Sequence, residues 1–178
     1  MPEPRALRIA ILGPESTGKS TLAEQLAAHY RTVWVPEFAR NFLSGLDRPY
    51  TETDVLRCFD EQLAAEDRLL PLANRLLFCD TEVINFRVWM LYRFGHCPSH
   101  ITDAWTGRYD GYLLTYPDLA FEPDPLREHP GRRYFFFDWY KRELDARGAA
   151  YGIVTGAAND RFDNARRIID RLLSGMDQ

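Results

Sequence analysis

The chain has 178 residues, 46% of them hydrophobic and 27% charged, with a formal net charge of −4; this is the composition of an ordinary globular chain, not a fibrous or disordered one. The acidic balance offers no broad footprint for nucleic acid or an anionic membrane, no apolar run could span a bilayer, and the opening "MPEPRALRIAIL" is too short for a secretory leader. Cys58, Cys79 and Cys97 are odd in number and lack metal-ligand spacing, so they read as reduced thiols of a cytoplasmic protein with a single domain over 1–178.

In chain order, "LRIAILG" (7–13) is predicted as the first strand. It runs into Gly13-Pro14-Glu15-Ser16-Thr17-Gly18-Lys19-Ser20, a full match to G-x-x-x-x-G-K-[ST]. Behind it Thr21 begins a stretch in which Leu22, Leu26 and Tyr30 recur at helical spacing, the context this motif needs. Glycines let successive N–H groups turn toward phosphate oxygens, and the helix N-terminus adds its positive end. Lys19 is expected on the β- and γ-phosphates of ATP, and the Ser20 hydroxyl on Mg²⁺. "TVWVPE" (32–37) is the second strand, and it ends on an acid, Glu37, with Arg40 one turn further on. Val55, Phe59 and Leu63 mark a helix from the "TETD" cap signal to Pro71.

"LLFCD" (76–80) closes on Asp80 and precedes a helix over 82–95. Asp80 suits the Mg²⁺ shell, directly or through water, which is the favoured reading; Asp80 or Thr81 could at the same time cap that helix. "GYLLTY" (111–116) is the fourth strand. The stretch 117–133, "PDLAFEPDPLREHPGRR", has four prolines, three arginines and no periodicity. A loop this long in a compact domain reads as a lid. A helix over 133–147, the strand "AYGIVTG" (150–156) and a helix over 159–174 complete the chain.

Continuous apolar strands alternating with helices predict an α/β fold of three layers: a five-stranded parallel sheet flanked by helices, plus the lid, as in P-loop kinases. Ligands collect at the carboxyl ends of such strands, which gathers Glu37, Asp80 and the segment after Tyr116. No N-K-x-D box points to a GTPase, and "LSGL" (43–46) is only a weak echo of a transporter signature. What remains is a small kinase, whose lid must exclude water while ATP is bound. Arg127 and Arg132 are candidates to clamp the transferring phosphoryl group, whereas Arg133 is the arginine best explained as a solvated helix start. Glu37 is a base or clamp for an acceptor hydroxyl, or else a cap for the helix after it. The predicted acceptor wall comprises Glu37, Arg40, Trp89, Tyr109, Asp110, Phe121 and Asp124, with Tyr92, Trp105 and Tyr112 nearby; Trp89 and Tyr92 lie at i, i+3, so one of them is expected to be packing. In "TGAANDR", Gly156 and Ala157 are candidate adenine walls, or a turn with Asn159 as cap.

"ILGPESTGKSTLAEQLAAHY", "VPEFAR", "LLFCDTEVINFRVW", "YDGYLLTYPD" and "PDPLREHPGRR", in this order along nearly the whole chain, resemble the NadR-type ribosylnicotinamide kinase family. The resemblance implies phosphorylation of nicotinamide riboside by ATP to give nicotinamide mononucleotide, a step of NAD salvage. In that family the kinase is often fused to an adenylyltransferase and sometimes to a DNA-binding module; a stand-alone kinase is expected here. "VPE" followed by Ala39-Arg40 also resembles the deoxynucleoside kinases, where the glutamate acts as base on the sugar 5′-hydroxyl. The sequence departs from the family at Phe121, at Asp124-Pro125 and at Arg87, where a Trp, an Asp-Gly pair and a small hydroxyl residue are common. The expected partner is therefore a small nucleoside, with another (deoxy)nucleoside or a non-catalytic nucleotide switch as alternatives; oligomeric state leaves no mark.

Overall fold

A computed structural model describes residues 5–176. Its elements are β1 (Leu7–Leu12), α1 (Lys19–Tyr30), β2 (Trp34–Val35), α2 (Phe38–Ser44), α3 (Glu52–Leu69), β3 (Leu76–Asp80), α4 (Val83–Phe94), α5 (Ser99–Asp103), β4 (Gly111–Thr115), α6 (Arg133–Ala146), β5 (Tyr151–Val154) and α7 (Ala158–Met176). The strands form one parallel sheet in the order β2-β3-β1-β4-β5. The chain leaves β1 for the edge, returns through β3, and only then crosses to β4 on the other side. That reversal opens a crevice above the carboxyl ends of β1, β3 and β4.

The inner strands are apolar on both faces because both are covered. On one side α1 and α7 bring Leu22, Leu26, Ile168 and Ile169 onto Ile9, Ile11, Phe78 and Leu113. On the other, Ile84 and Val88 of α4 and Phe136, Phe137 and Leu144 of α6 cover Ala10, Leu12, Tyr112 and Leu114, while α3 supplies Ala65 and Leu69 over Val35, Leu77 and Cys79. These are the three predicted layers. Burying these side chains supplies the main driving force for the fold.

Of the two short helices, the one after Glu37 was among the expectations and only α5 was not anticipated. α2 follows directly on β2, which is shorter than the predicted 32–37 because Pro36 has no N–H for the ladder. α5 packs Ile101 beneath α3 and α4. Cys58, Cys79 and Cys97 are free thiols, the first two buried. Among the described residues no helix is long and apolar enough to cross a membrane.

Candidate active site

Strand β1 delivers the glycine-rich loop to the floor of the crevice. A Cβ on Gly13 would collide with the hydroxyl and carbonyl of Thr115, so only glycine lets the loop lie against the end of β4. Ser16 and Gly18 take left-handed φ values of 55° and 75°, which curls the loop so that it feeds α1. No side chain caps the N-terminus of α1, which leaves its positive end for an anion. Thr17 Oγ1 donates to the Pro14 carbonyl at 2.8 Å and lies 2.7 Å from Thr115 Oγ1. Lys19 Nζ donates to the Pro14 carbonyl at 2.8 Å. Burial lowers the Lys19 pKa, opposed by the negative charges of Glu37, Asp80 and Glu15.

Asp80 is fully buried at the end of β3 and accepts from Ser20 Oγ at 2.5 Å. Its other oxygen, Oδ1, is buried without a hydrogen-bond partner among the described residues. A hydroxyl and a carboxylate with a spare lone pair are hard oxygen donors, which suits Mg²⁺. Among the described residues there is no group of three or more His, Cys, Asp or Glu side chains able to hold a metal. Asp80 does not cap α4; that task falls to Glu82, which accepts from the N–H groups of Ile84 and Asn85 at 2.9 Å each. Between the two acids Thr81 holds φ at 74°, a strained turn of the sort found beside functional side chains.

Glu37 stands at the N-terminus of α2 yet makes no capping hydrogen bond, so the capping alternative does not describe it. Burial raises its pKa first and the Asp80 charge second, while Lys19 and Arg40 pull the other way. Asp80 is likewise pushed up by burial, against Lys19 and the Ser20 hydroxyl. Two carboxylates and one ammonium thus lie within electrostatic reach of one another.

The cavity lined by Lys19, Ser20 and Glu37, with Asp80 buried behind Ser20, has a volume of about 920 Å³, within the range of small-molecule sites. One half is walled by the whole loop Gly13–Ser20 with Thr21; Glu37, Arg40, Arg127, Trp89 and Tyr92 line the rest. Trp89 and Tyr92 both reach it, and both also pack against the core, as expected of at least one of them. Tyr50 and Arg48, which the sequence reading passed over, join them from the loop before α3. Trp89 Nε1 donates to Tyr50 Oη at 3.2 Å.

Several predicted residues lie elsewhere. Tyr109 and Asp110 precede β4, so they sit at the amino end of the sheet, opposite the crevice: Tyr109 Oη donates to Glu66 at 2.8 Å, and Asp110 pairs with Arg5 and accepts the Arg8 N–H at 2.8 Å. Trp105 Nε1 donates to Tyr112 Oη within the core. Phe121 does not line the cavity; the Arg133 guanidinium lies 5.7 Å from its ring. Asp124 is also outside the cavity, in an ion pair with Arg40 at 2.8 Å beside a smaller groove. Arg132 is drawn away to Tyr92 Oη at 2.9 Å and lies over that ring. Arg133 is no solvated helix start: it donates to the carbonyls of Ser16 and Leu119 at 3.2 and 2.9 Å. Gly156 and Ala157 do not line the cavity, whereas Ala158 and Arg161 do. The Gly156 N–H is occupied by Asp118 at 2.8 Å. Arg87 is remote from the crevice, held by Glu143 and Thr102.

Arg161 is the residue that pattern reading missed altogether. It is 5% exposed and donates to Asp118 and to the carbonyls of Gly156, Thr17 and Tyr116 at 2.8–2.9 Å. One guanidinium thereby ties the phosphate loop to the ends of β4 and β5.

A parallel sheet in this order, with a glycine-rich phosphate loop between β1 and α1, defines a P-loop kinase fold. A family model described as an AAA domain matches residues 8–161, and the chain belongs to that family. Among solved structures it is similar to NadR protein in complex with NR, with 22% identity and a TM-score of 0.76 over 94% of this chain and 51% of that one. NadR protein in complex with NAD and AMP-PNP gives 22% and 0.71 over 94% and 49%. Thymidylate kinase from Ehrlichia chaffeensis gives 16% and 0.62 over 95% and 100%. The chain spans about half the length of the NadR chains it matches. At these identities the likeness is one of fold.

Proposed function

We propose that the chain is an ATP-dependent kinase that phosphorylates the 5′-hydroxyl of a nucleoside, and that the nucleoside is nicotinamide riboside. The observation that carries the reading is Glu37: a carboxylate free of any capping bond, in one cavity with the phosphate-loop lysine. A nucleotide switch has no need of a base there. A kinase does, because an acceptor hydroxyl must be oriented and lose a proton as it attacks. Burial and Asp80 raise the Glu37 pKa toward the range in which a carboxylate can accept that proton near neutrality.

In this reading Lys19 and the N–H groups of the loop hold the β- and γ-phosphates, and Arg127, which lines the cavity from the lid, neutralises charge on the transferring group. Ser20 and Asp80 would hold Mg²⁺, which when bound neutralises phosphate charge. The docked lid keeps water from competing for the phosphoryl group. Trp89, Tyr92 and Tyr50 give an aromatic wall suited to a cationic pyridinium ring. The structure with NR is that of a NadR protein of the same fold, which supports this choice of acceptor.

A second reading, an uncharged or deoxy nucleoside, is favoured by Arg48 on the same wall. The Arg48 charge is offset by Asp54 at 2.7 Å, which is why the pyridinium reading is preferred. A coupled ADP-release assay across nicotinamide riboside, ribonucleosides and deoxynucleosides decides between them. Turnover of nicotinamide riboside above the others is expected; turnover of deoxynucleosides alone would sink the choice of acceptor.

A further inference from the structure

Glu15 is an odd residue to find in a loop built for phosphates. Its carboxylate lies close enough to be felt by both Lys19 and Glu37, and an anion there opposes phosphate binding. Its hydrogen bonds explain its presence. One oxygen accepts from the Glu128 N–H at 3.0 Å and the other from the His129 N–H at 3.1 Å, two consecutive amides of the lid more than a hundred residues along the chain. The next residue holds the opposite arm of the lid, since Ser16 Oγ accepts from the Glu122 N–H at 2.9 Å. Between these two anchors the chain makes one tight turn, closed by the Arg127 N–H to the Asp124 carbonyl at 2.9 Å. Arg127 rides on that turn, with its guanidinium donating to the Glu122 carbonyl, and its charge is felt by Lys19.

We infer that Glu15 is a positioning residue: its carboxylate latches the distal arm of the lid to the phosphate loop and so sets Arg127 opposite Lys19. The same latch reaches the other substrate. Glu128 accepts from Tyr50 Oη at 3.4 Å, and the His129 ring lies edge-on to Tyr92 with centroids 5.0 Å apart. Tyr50 and Tyr92 both wall the cavity. Glu15 thus joins the nucleotide loop to the acceptor wall through two backbone amides. The consequence for catalysis rests on the kinase reading; the latch itself does not.

The test compares wild type with Glu15→Gln, which keeps the shape but replaces one accepting oxygen by an NH₂ facing a lid N–H. Amide hydrogen exchange on the ligand-free protein is read at Glu128 and His129, with Leu113 in β4 as the control for an intact fold. Exchange at the two lid amides rises roughly tenfold or more in the variant while Leu113 stays protected, because bonds to a charged acceptor are the strong ones. In the coupled assay kcat falls while ATP binds no more weakly than to wild type. Equal lid exchange in the two proteins overturns the latch; faster exchange with unchanged kcat overturns the positioning of Arg127. If wild type phosphorylates no nucleoside the kinase reading falls, and the exchange result still decides the latch.

Discussion

Replacing Arg161 by methionine removes a guanidinium that bridges the phosphate loop to the sheet. The structure sets the size of the effect. Three backbone carbonyls, those of Thr17, Tyr116 and Gly156, lose a charged donor, and Asp118 loses its ion-pair partner. Asp118 is 30% exposed on its side chain, so water recovers part of its solvation; the Thr17 carbonyl bond is buried and recovers little. Breaking a buried ion pair on one side costs about 3–5 kcal/mol, and the methionine side chain returns some of that through packing. A loss of about 3 kcal/mol in urea unfolding is expected, with the m value unchanged. ATP affinity falls as well, because the loop is no longer held in shape. Arg161→Lys keeps the charge near Asp118 but reaches fewer carbonyls, and falls between. A loss below about 1 kcal/mol for Arg161→Met would refute the reasoning, since it would mean the four bonds are worth no more than an exposed pair.

Three further outcomes follow from the geometry. Burial raises the Glu82 carboxyl to about 8 with no cation in direct contact. Between its unfolded value of 4.5 and that pKa the native state binds the extra proton, so stability falls as pH rises from 6 to 9, by at most roughly 2–3 kcal/mol; urea midpoints at the two pH values should show a smaller fall in Glu82→Gln. Asp110→Ala should cost about 1–2 kcal/mol through Arg5 and the Arg8 amide and leave both KM values alone, because it lies at the far end of the sheet; a raised KM would return Asp110 to the site. Asp80→Asn should raise the Mg²⁺ concentration for half-maximal ADP release roughly tenfold, since a charged oxygen donor is lost, and an unchanged Mg²⁺ titration would remove Asp80 from the metal shell.

What could be read from the chain divides on physical lines. The three inner strands were legible because both faces are covered, which makes "IAIL" in β1 and "LLFC" in β3 unbroken apolar runs. The phosphate loop was legible because its chemistry is local: backbone, lysine and hydroxyl sit within eight residues. α5 was not, because five residues after a proline give too little periodicity. Tyr109 and Asp110 were misplaced although the chain direction carried the answer, as residues before a parallel strand lie at its amino end. The partners of Arg132, Arg133 and Arg161 left no pattern. Arg133 and Arg161 bond to carbonyls, which every residue possesses, so only the folded backbone shows which ones they meet. Glu15 could be seen as a loop member, but its lid partners are more than a hundred residues away.

The central claim is that Glu37 accepts the proton of a sugar hydroxyl as ATP is consumed. It is tested most directly by following ADP and nicotinamide mononucleotide together, by mass, in wild type and Glu37→Gln. The account predicts equal amounts of the two products, and a kcat lowered on the order of 10²–10⁴-fold in the variant with ATP affinity retained. It also predicts that wild-type kcat declines on the acid side above the ordinary glutamate range, as the raised Glu37 pKa requires. Phosphorylation by Glu37→Gln at the wild-type rate, or ADP released with no nucleotide product, would contradict it.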